Sequence, residues 1–290
     1  MNERDRNSGH VEAFRNLFCN SPKMTEDNSN SNDHPAERDE DMSPYRKPAA
    51  SVISFKLIYS KDDLQSRKVI HFRPEMSHQV FGEDETIFGY RTLSITINYL
   101  HNSSRCFVDV LKEGILKSTP MPQLDDIMKC LEPWLPEKFT TEKEEFLKMI
   151  ENERHDNMYG ALLSEFKDKQ ECKVFPNQKV FADYKICICD MKNEEFKEFH
   201  KRFETYIVWF IDAANFIDLD DERWMLYYVY EEFQHPETKA TYRTPVGYCS
   251  VYKFFAYPNN IRTRISQFFI LPSHQRRGIG SSSTRPWLGI

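Results

Sequence analysis

No apolar run in the 290-residue chain approaches the about 20 residues that a bilayer-spanning helix needs, and the N-terminus is charged from Glu3 to Arg6. Neither a membrane anchor nor a signal peptide is therefore expected. Paired Cys-x-x-Cys spacing is also missing. The seven cysteines are scattered at Cys19, Cys106, Cys130, Cys172, Cys187, Cys189 and Cys249, which argues against a disulfide framework and predicts reduced thiols in a cytosolic or nuclear protein. Basic excess is lacking as well. With 39 Lys and Arg against 45 Asp and Glu, the net charge of −6 argues against non-specific nucleic-acid binding and favours a basic partner.

What is present suits a packed core. Hydrophobic residues make up 40% of the chain and aromatic residues 14%, enough for one large or two modest domains. Residues 1–50 are the exception. They are crowded with Asn, Ser, Asp, Glu and Pro, bury too little apolar area to offset ordering, and are expected to form a disordered arm with at most a short helix at 11–19.

From residue 51 the pattern changes. Residues 51–59, 93–99 and 106–110 alternate as strands and predict a small antiparallel sheet. Between them stands the acidic triplet Glu83-Asp84-Glu85, either a solvated loop or a contact for a basic peptide. Helical spacing returns at 124–134 and 142–152, residues 153–178 are polar and irregular, and 180–190 alternates through Tyr184, Ile186 and Ile188. Cys187 and Cys189 thus share one strand face, where buried thiols are expected rather than a metal site. The longest helical pattern spans 193–216. Phe196, Phe199, Phe203, Tyr206, Ile207 and Phe210 form a wide apolar stripe that must lie on a sheet.

A second acidic cluster follows at Asp218, Asp220, Asp221 and Glu222, with Trp224 opening a strand that runs to Tyr230. Tryptophan in a strand is commonly core, but an aromatic face flanked by carboxylates also suits the aliphatic stem and ammonium of a lysine. Residues 234–244 are expected to turn as a hairpin into a strand at 246–255. Tyr257-Pro258-Asn259-Asn260 turns again, and 263–271 forms a further strand broken at Pro272. After it comes Gln275-Arg276-Arg277-Gly278-Ile279-Gly280. Two glycines spaced by one residue between a strand and a helix start can be an ordinary turn, or a cradle whose N–H groups face a phosphate.

Gln-x-x-Gly-x-Gly after an apolar strand resembles the acetyl-coenzyme A pyrophosphate loop of the GNAT N-acetyltransferases. The stretches 81–90, 216–224 and 246–258 resemble one branch of them, the type B histone acetyltransferase catalytic subunits, and the likeness covers about residues 52–280 in order. The resemblance implies an α/β (α+β) fold: a small N-terminal α/β histone acetyltransferase type B domain (51–190) leading into a GNAT-like acyl-CoA N-acyltransferase mixed sheet (191–280). It implies acetyl-CoA as cofactor, held by Phe268, Phe269, Ile270, Gln275, Arg276, Arg277, Gly278, Ile279, Gly280 and Ser281. For substrate it implies the histone H4 amino-terminal tail, contacted by Glu83, Asp84, Glu85, Trp224, Tyr252, Lys253 and Phe254. A WD40-type histone-binding subunit as partner, and a place in nucleus and cytoplasm, come with it. The family's base is a glutamate on the strand after the cofactor-loop helix. Residues 281–290 have neither helical period nor length, so the C-terminal part of the fold, with that base, is expected to be missing. The catalytic residue is left unknown, with Asp218, Asp220 and Glu222 the first candidates within the chain. A catalytically silent histone-binding module and a small-molecule acetyltransferase are the alternatives.

Overall fold

The computed structural model describes residues 42–280 apart from 67, 117–123, 173, 176 and 177. The expected helix at 11–19, most of the expected arm, and the 281–290 segment with Ser281 lie outside the described residues. Six strands, β1 (Arg46–Pro48), β2 (Ile53–Ile58), β3 (His71–Phe72), β4 (Thr86–Phe88), β5 (Tyr90–Leu100) and β6 (Cys106–Ile115), form the N-terminal part. Five more, β7 (Ala161–Glu171), β8 (Phe181–Cys189), β9 (Trp224–Gln234), β10 (Thr241–Ala256) and β11 (Asn260–Ile270), form a second sheet. The fold is α+β, with β1 pairing β4, a four-stranded sheet ordered β3-β2-β5-β6 and a five-stranded sheet ordered β11-β10-β9-β8-β7.

Three expectations change here. The N-terminal sheet is not wholly antiparallel: β2 runs parallel to β5, with Ile53, Phe55 and Leu57 opposite Ile95, Ile97 and Tyr99. The connection through β3, the His78–Phe81 helix and β4 is long enough to bring the chain back in the same direction. Residues 46–48, assigned by composition to the disordered arm, are ordered by pairing with residues 86–88. Residues 153–178, expected to be irregular, contain β7. Its Leu162 and Leu163 are exposed and its second half is mostly charged, so the edge strand of the sheet carries the composition of a loop.

The five-stranded sheet is antiparallel throughout, and two of its strands precede the domain boundary expected at residue 190. One core serves both sheets. Phe55 and Tyr99 of the first and Tyr228 and Phe269 of the second belong to the same buried cluster. The helix Glu194–Glu204 sits between them, presenting Phe196, Phe199 and Phe203 at i, i+3 and i+7. Asn193 caps it, its side chain accepting from Phe196 N at 3.1 Å. The helix ends earlier than its apolar period suggests. Thr205–Trp209 tightens into a 3-10 turn and residues from Phe210 onward are irregular, because this β-branched and aromatic run is buried on all sides. Tyr206 then touches both sheets, its ring 6.1 Å from Phe72 and 6.1 Å from Phe269. Among the described residues no helix is long and apolar enough to cross a membrane.

Candidate functional site

β10 and β11 set the geometry. Gly247 of β10 lies opposite Ile270, and a Cβ there would stand 2.4 Å from both Ile270 Cδ1 and the Phe269 carbonyl oxygen, so only glycine allows this approach. Further along, the register slips between Ser250 and Val251, which oppose Gln267 and Ile265, and Ser266 becomes the extra residue of a β-bulge. Buried hydrogen bonds hold the bulge. Gln267 N donates to Ser250 Oγ at 3.0 Å, Tyr248 Oη donates to Gln267 Oε1 at 2.8 Å, and Gln267 Nε2 donates to the Asn215 carbonyl at 2.6 Å.

Of the three residues expected along the cofactor arm, one presents its side chain. Phe268 is partly exposed at the edge strand. Phe269 is only 3% exposed and stacks on Tyr206 and Phe210, while Ile270 packs with Val229, Val246 and Ile279. Strand alternation sends Phe269 to the shared core and Ile270 to the opposite face, which is covered as well, so both can offer a ligand only backbone.

The 275–280 loop follows a 3-10 turn at Pro272–His274. Gln275 Nε2 donates to the Ile270 carbonyl at 2.9 Å, and Arg276 and Gly278 are left-handed at φ 61° and 78°. Arg276 is exposed and Ile279 is buried. Gly280 lies against the Phe268 ring, 3.4 Å from where its Cβ would stand. Arg277, expected at the anion, instead turns inward: its side chain is 3% exposed and Nη1 lies 3.9 Å from Glu231 Oε1. Glu231 escaped the sequence reading, although a lone buried acid pair in an aromatic strand is a signal. Burial pushes its carboxyl up, but His274, Tyr184 and Arg277 outweigh that and hold it below the ordinary carboxylate range.

On the opposite side of the hairpin, Tyr252 is the hub. Its hydroxyl donates to Asp221 Oδ2 at 3.2 Å, and its ring lies 4.7 Å from Trp224 and 4.7 Å from Phe254. Arg223 covers it at 5.0 Å while its backbone N, Nε and Nη2 all donate to the Asp221 carboxylate. Those Arg223 hydrogen bonds hold the Asp221 carboxyl down at about 2. Lys253 N donates to the Arg223 carbonyl at 3.0 Å. Asp220 pairs with Lys197 at 2.8 Å, and Asp218 Oδ1 accepts from Asp220 N at 3.0 Å. The second acidic cluster is therefore partly neutralised by the chain's own cations.

The first cluster divides. Glu83 and Asp84 are exposed. Glu85, left-handed at φ 49°, accepts from both Ser77 N and Ser77 Oγ at 2.7 Å. This segment reaches the second cluster through the intervening loop: Gln79 Nε2 donates to the Ala214 carbonyl at 3.0 Å, and Asn215 in turn accepts from Gln267.

Comparison with known proteins decides the family. Residues 45–212 match the model described as Histone acetyl transferase HAT1 N-terminus. The chain belongs to this family. Within the HAT1 N-terminus match lie the first acidic cluster, the four-stranded sheet and the whole Glu194–Glu204 helix. The chain is 33% identical over 244 residues to the histone acetyltransferase type B catalytic subunit of Mus musculus, covering 83% of this chain and 56% of that protein. The subunit of the same name from Homo sapiens is 32% identical over 241 residues, with 83% and 56% covered. That of Candida albicans is 32% identical over 225 residues, with 73% and 51% covered. The chain thus spans about half the length of these HAT1-family relatives. Cys187 and Cys189 are buried, and burial pushes the Cys187 thiol up to about 11. Among the described residues of this family member, no group of three or more His, Cys, Asp or Glu is placed to hold a metal ion.

Proposed function

We propose that the chain serves lysine N-acetylation, with acetyl-coenzyme A as donor and a newly made histone H4 tail as acceptor. The observation that carries the reading is the 275–280 loop: two left-handed residues after the edge strand, in a chain of the HAT1 N-terminus family. The residues suit the donor. With Arg277 turned inward, the loop's outer surface is left to backbone, Gln275 and Arg276, and Gly280 lies beside the Phe268 ring. Coenzyme A supplies the activated thioester. Gln275 N donates to the Pro272 carbonyl, so N–H groups of Arg276 to Gly280 would hold its pyrophosphate, and Phe268 would lie beside its pantetheine arm. A backbone N–H near Ile270 would face the carbonyl oxygen as negative charge develops.

The acceptor side draws on Glu83, Asp84, Trp224, Tyr252, Lys253 and Phe254. Exposed carboxylates attract a basic tail, and the Trp224–Tyr252–Phe254 aromatic run can flank an aliphatic lysine stem. A lysine of pKa about 10.4 must shed its proton to attack a thioester at neutral pH. Asp220 is committed to Lys197, which leaves Asp218 and Glu222 as the candidate bases among those singled out from the sequence. A WD40-type histone-binding partner and a nuclear and cytoplasmic location accompany this reading.

Calorimetry with acetyl-coenzyme A and mass spectrometry of an H4-tail peptide incubated with it test the proposal. Donor binding and a singly acetylated peptide are expected. Peptide binding with no donor binding would overturn the catalytic reading in favour of a histone-binding module. If transfer occurs, Glu222→Gln and Asp218→Asn should identify the base through a loss of about 10²-fold or more in kcat.

A further inference from the structure

Beneath the 275–280 loop lies a buried charged cluster that none of these roles employs. Glu231, on β9, is 1% exposed. Its carboxylate accepts from Tyr184 Oη at 3.0 Å, lies 3.2 Å from His274 Nε2 and 3.9 Å from Arg277 Nη1, and accepts a weak Cys172 Sγ contact at 3.9 Å. His274 immediately precedes the loop and Arg277 sits inside it, and both side chains are almost fully buried. Arg277 Nη2 also donates to the Glu171 carbonyl at the end of β7, at 3.3 Å. The left-handed turns at Arg276 and Gly278 stand on either side of Arg277, the residue drawn inward. Left-handed backbone is costly for a residue with a Cβ and persists where surrounding contacts impose it. A buried ion pair is likewise poor at adding stability but well suited to fixing one arrangement.

We propose that Glu231 is the positioning residue of the anion loop: by drawing His274 and Arg277 into the sheet, it directs the N–H groups of residues 276–280 outward and sets coenzyme A affinity. This rests on the reading of that loop given above. A direct phosphate role for the Arg277 side chain makes the opposite prediction, because releasing it from Glu231 would then strengthen binding.

The test uses the 290-residue chain, Glu231→Gln, Arg277→Met and the double variant. Thermal stability, coenzyme A affinity by calorimetry and amide exchange at 275–280 are measured for each. Glu231→Gln should lose stability and bind coenzyme A about tenfold more weakly, a factor of ten being about 1.4 kcal/mol. The double variant leaves Arg277's charge no longer buried unpaired, so it should regain stability while affinity stays low. Its 275–280 amides should still exchange faster than in the unaltered chain, with β9 and β10 unchanged. Recovery of affinity together with stability would reduce Glu231 to packing and overturn the proposal, as would tighter binding by Glu231→Gln. Failure of the unaltered chain to bind coenzyme A would overturn the loop's cofactor role alone. Exchange at 275–280 needs no ligand and would still decide whether Glu231 positions the loop.

Discussion

Glu83, Asp84 and Glu85 are neighbours in the chain, yet their side chains face different tasks. Glu85 satisfies the N–H and hydroxyl of Ser77, which is fully buried, and so closes the turn after the His78–Phe81 helix. Glu83 and Asp84 meet solvent. Glu85→Ala should therefore cost about 1–3 kcal/mol of stability, read by urea unfolding, because it leaves buried donors without an acceptor. Glu83→Gln with Asp84→Asn should leave the unfolding midpoint in place and weaken H4-tail peptide binding. That difference should shrink as added salt screens exposed charges beyond about 8 Å. Equal stability losses in both variants, or peptide affinity indifferent to the pair, would refute this division.

At the scale of elements, the Glu194–Glu204 helix holds the molecule together. Glu194 and Glu195 lie in its first turn and Lys201 and Arg202 in its last, both favourable to the helix dipole. Its buried face joins the five-stranded sheet through Phe199 and Tyr228, with ring centroids 5.3 Å apart. Its C-terminal Glu204 accepts from Ile217 N at 2.9 Å and so holds the loop that carries the second acidic cluster. Asn193→Ala removes the cap and should cost about 1 kcal/mol. Phe203→Ala opens a cavity beside Tyr206, Tyr228 and Phe269 and should cost about 3–5 kcal/mol. Denaturant unfolding measures both, and a loss for Phe203→Ala no larger than that for Asn193→Ala would place the core elsewhere.

At the scale of the whole molecule, the two sheets are latched at the β5–β6 turn. His101 Nδ1 and the Tyr59 hydroxyl both meet Thr244 Oγ1 of β10, at 3.0 and 3.1 Å, and His101 Nε2 meets His155 Nδ1 at 2.8 Å. Tyr242 stacks on His155, and Asn102 Nδ2 donates to the Arg243 carbonyl at 2.6 Å. Burial, and then the neighbouring His155, hold His101 well below its ordinary value; burial, then His235, lower His155, with Asp156 opposing. The unfolded chain takes up protons at about pH 6.5 where the folded chain does not, so acid favours unfolding. Stability should be level above about pH 7 and fall below about pH 6.5, by up to about 1.4 kcal/mol per pH unit for the fully buried His101 and by less for the half-buried His155. His101→Gln should lower stability at neutral pH and flatten that fall, as followed by urea unfolding across the range. An unchanged slope would assign the acid sensitivity to other groups.

By itself the sequence determined what depends on neighbours along the chain. The helix start at Asn193, the strands alternating through Tyr184 and Tyr248, and the glycine-bearing loop after an apolar strand are local patterns, and each stands where its period places it. The tertiary structure decided whatever depends on a partner far away. β1 needs residues 86–88, and β7 needs β8 to make a charged segment into a strand. The 193–216 helix stops at Glu204 because the following residues must pack on both sheets at once. At the site, motif alone sent Phe269, Ile270 and Arg277 towards a ligand, whereas both faces of the strand are covered at Phe269 and Ile270, and Arg277 lies against the buried carboxylate of Glu231. A side chain's direction is set by which face of the fold is covered and by where an opposite charge lies buried, and neither is written in the spacing of residues along the chain.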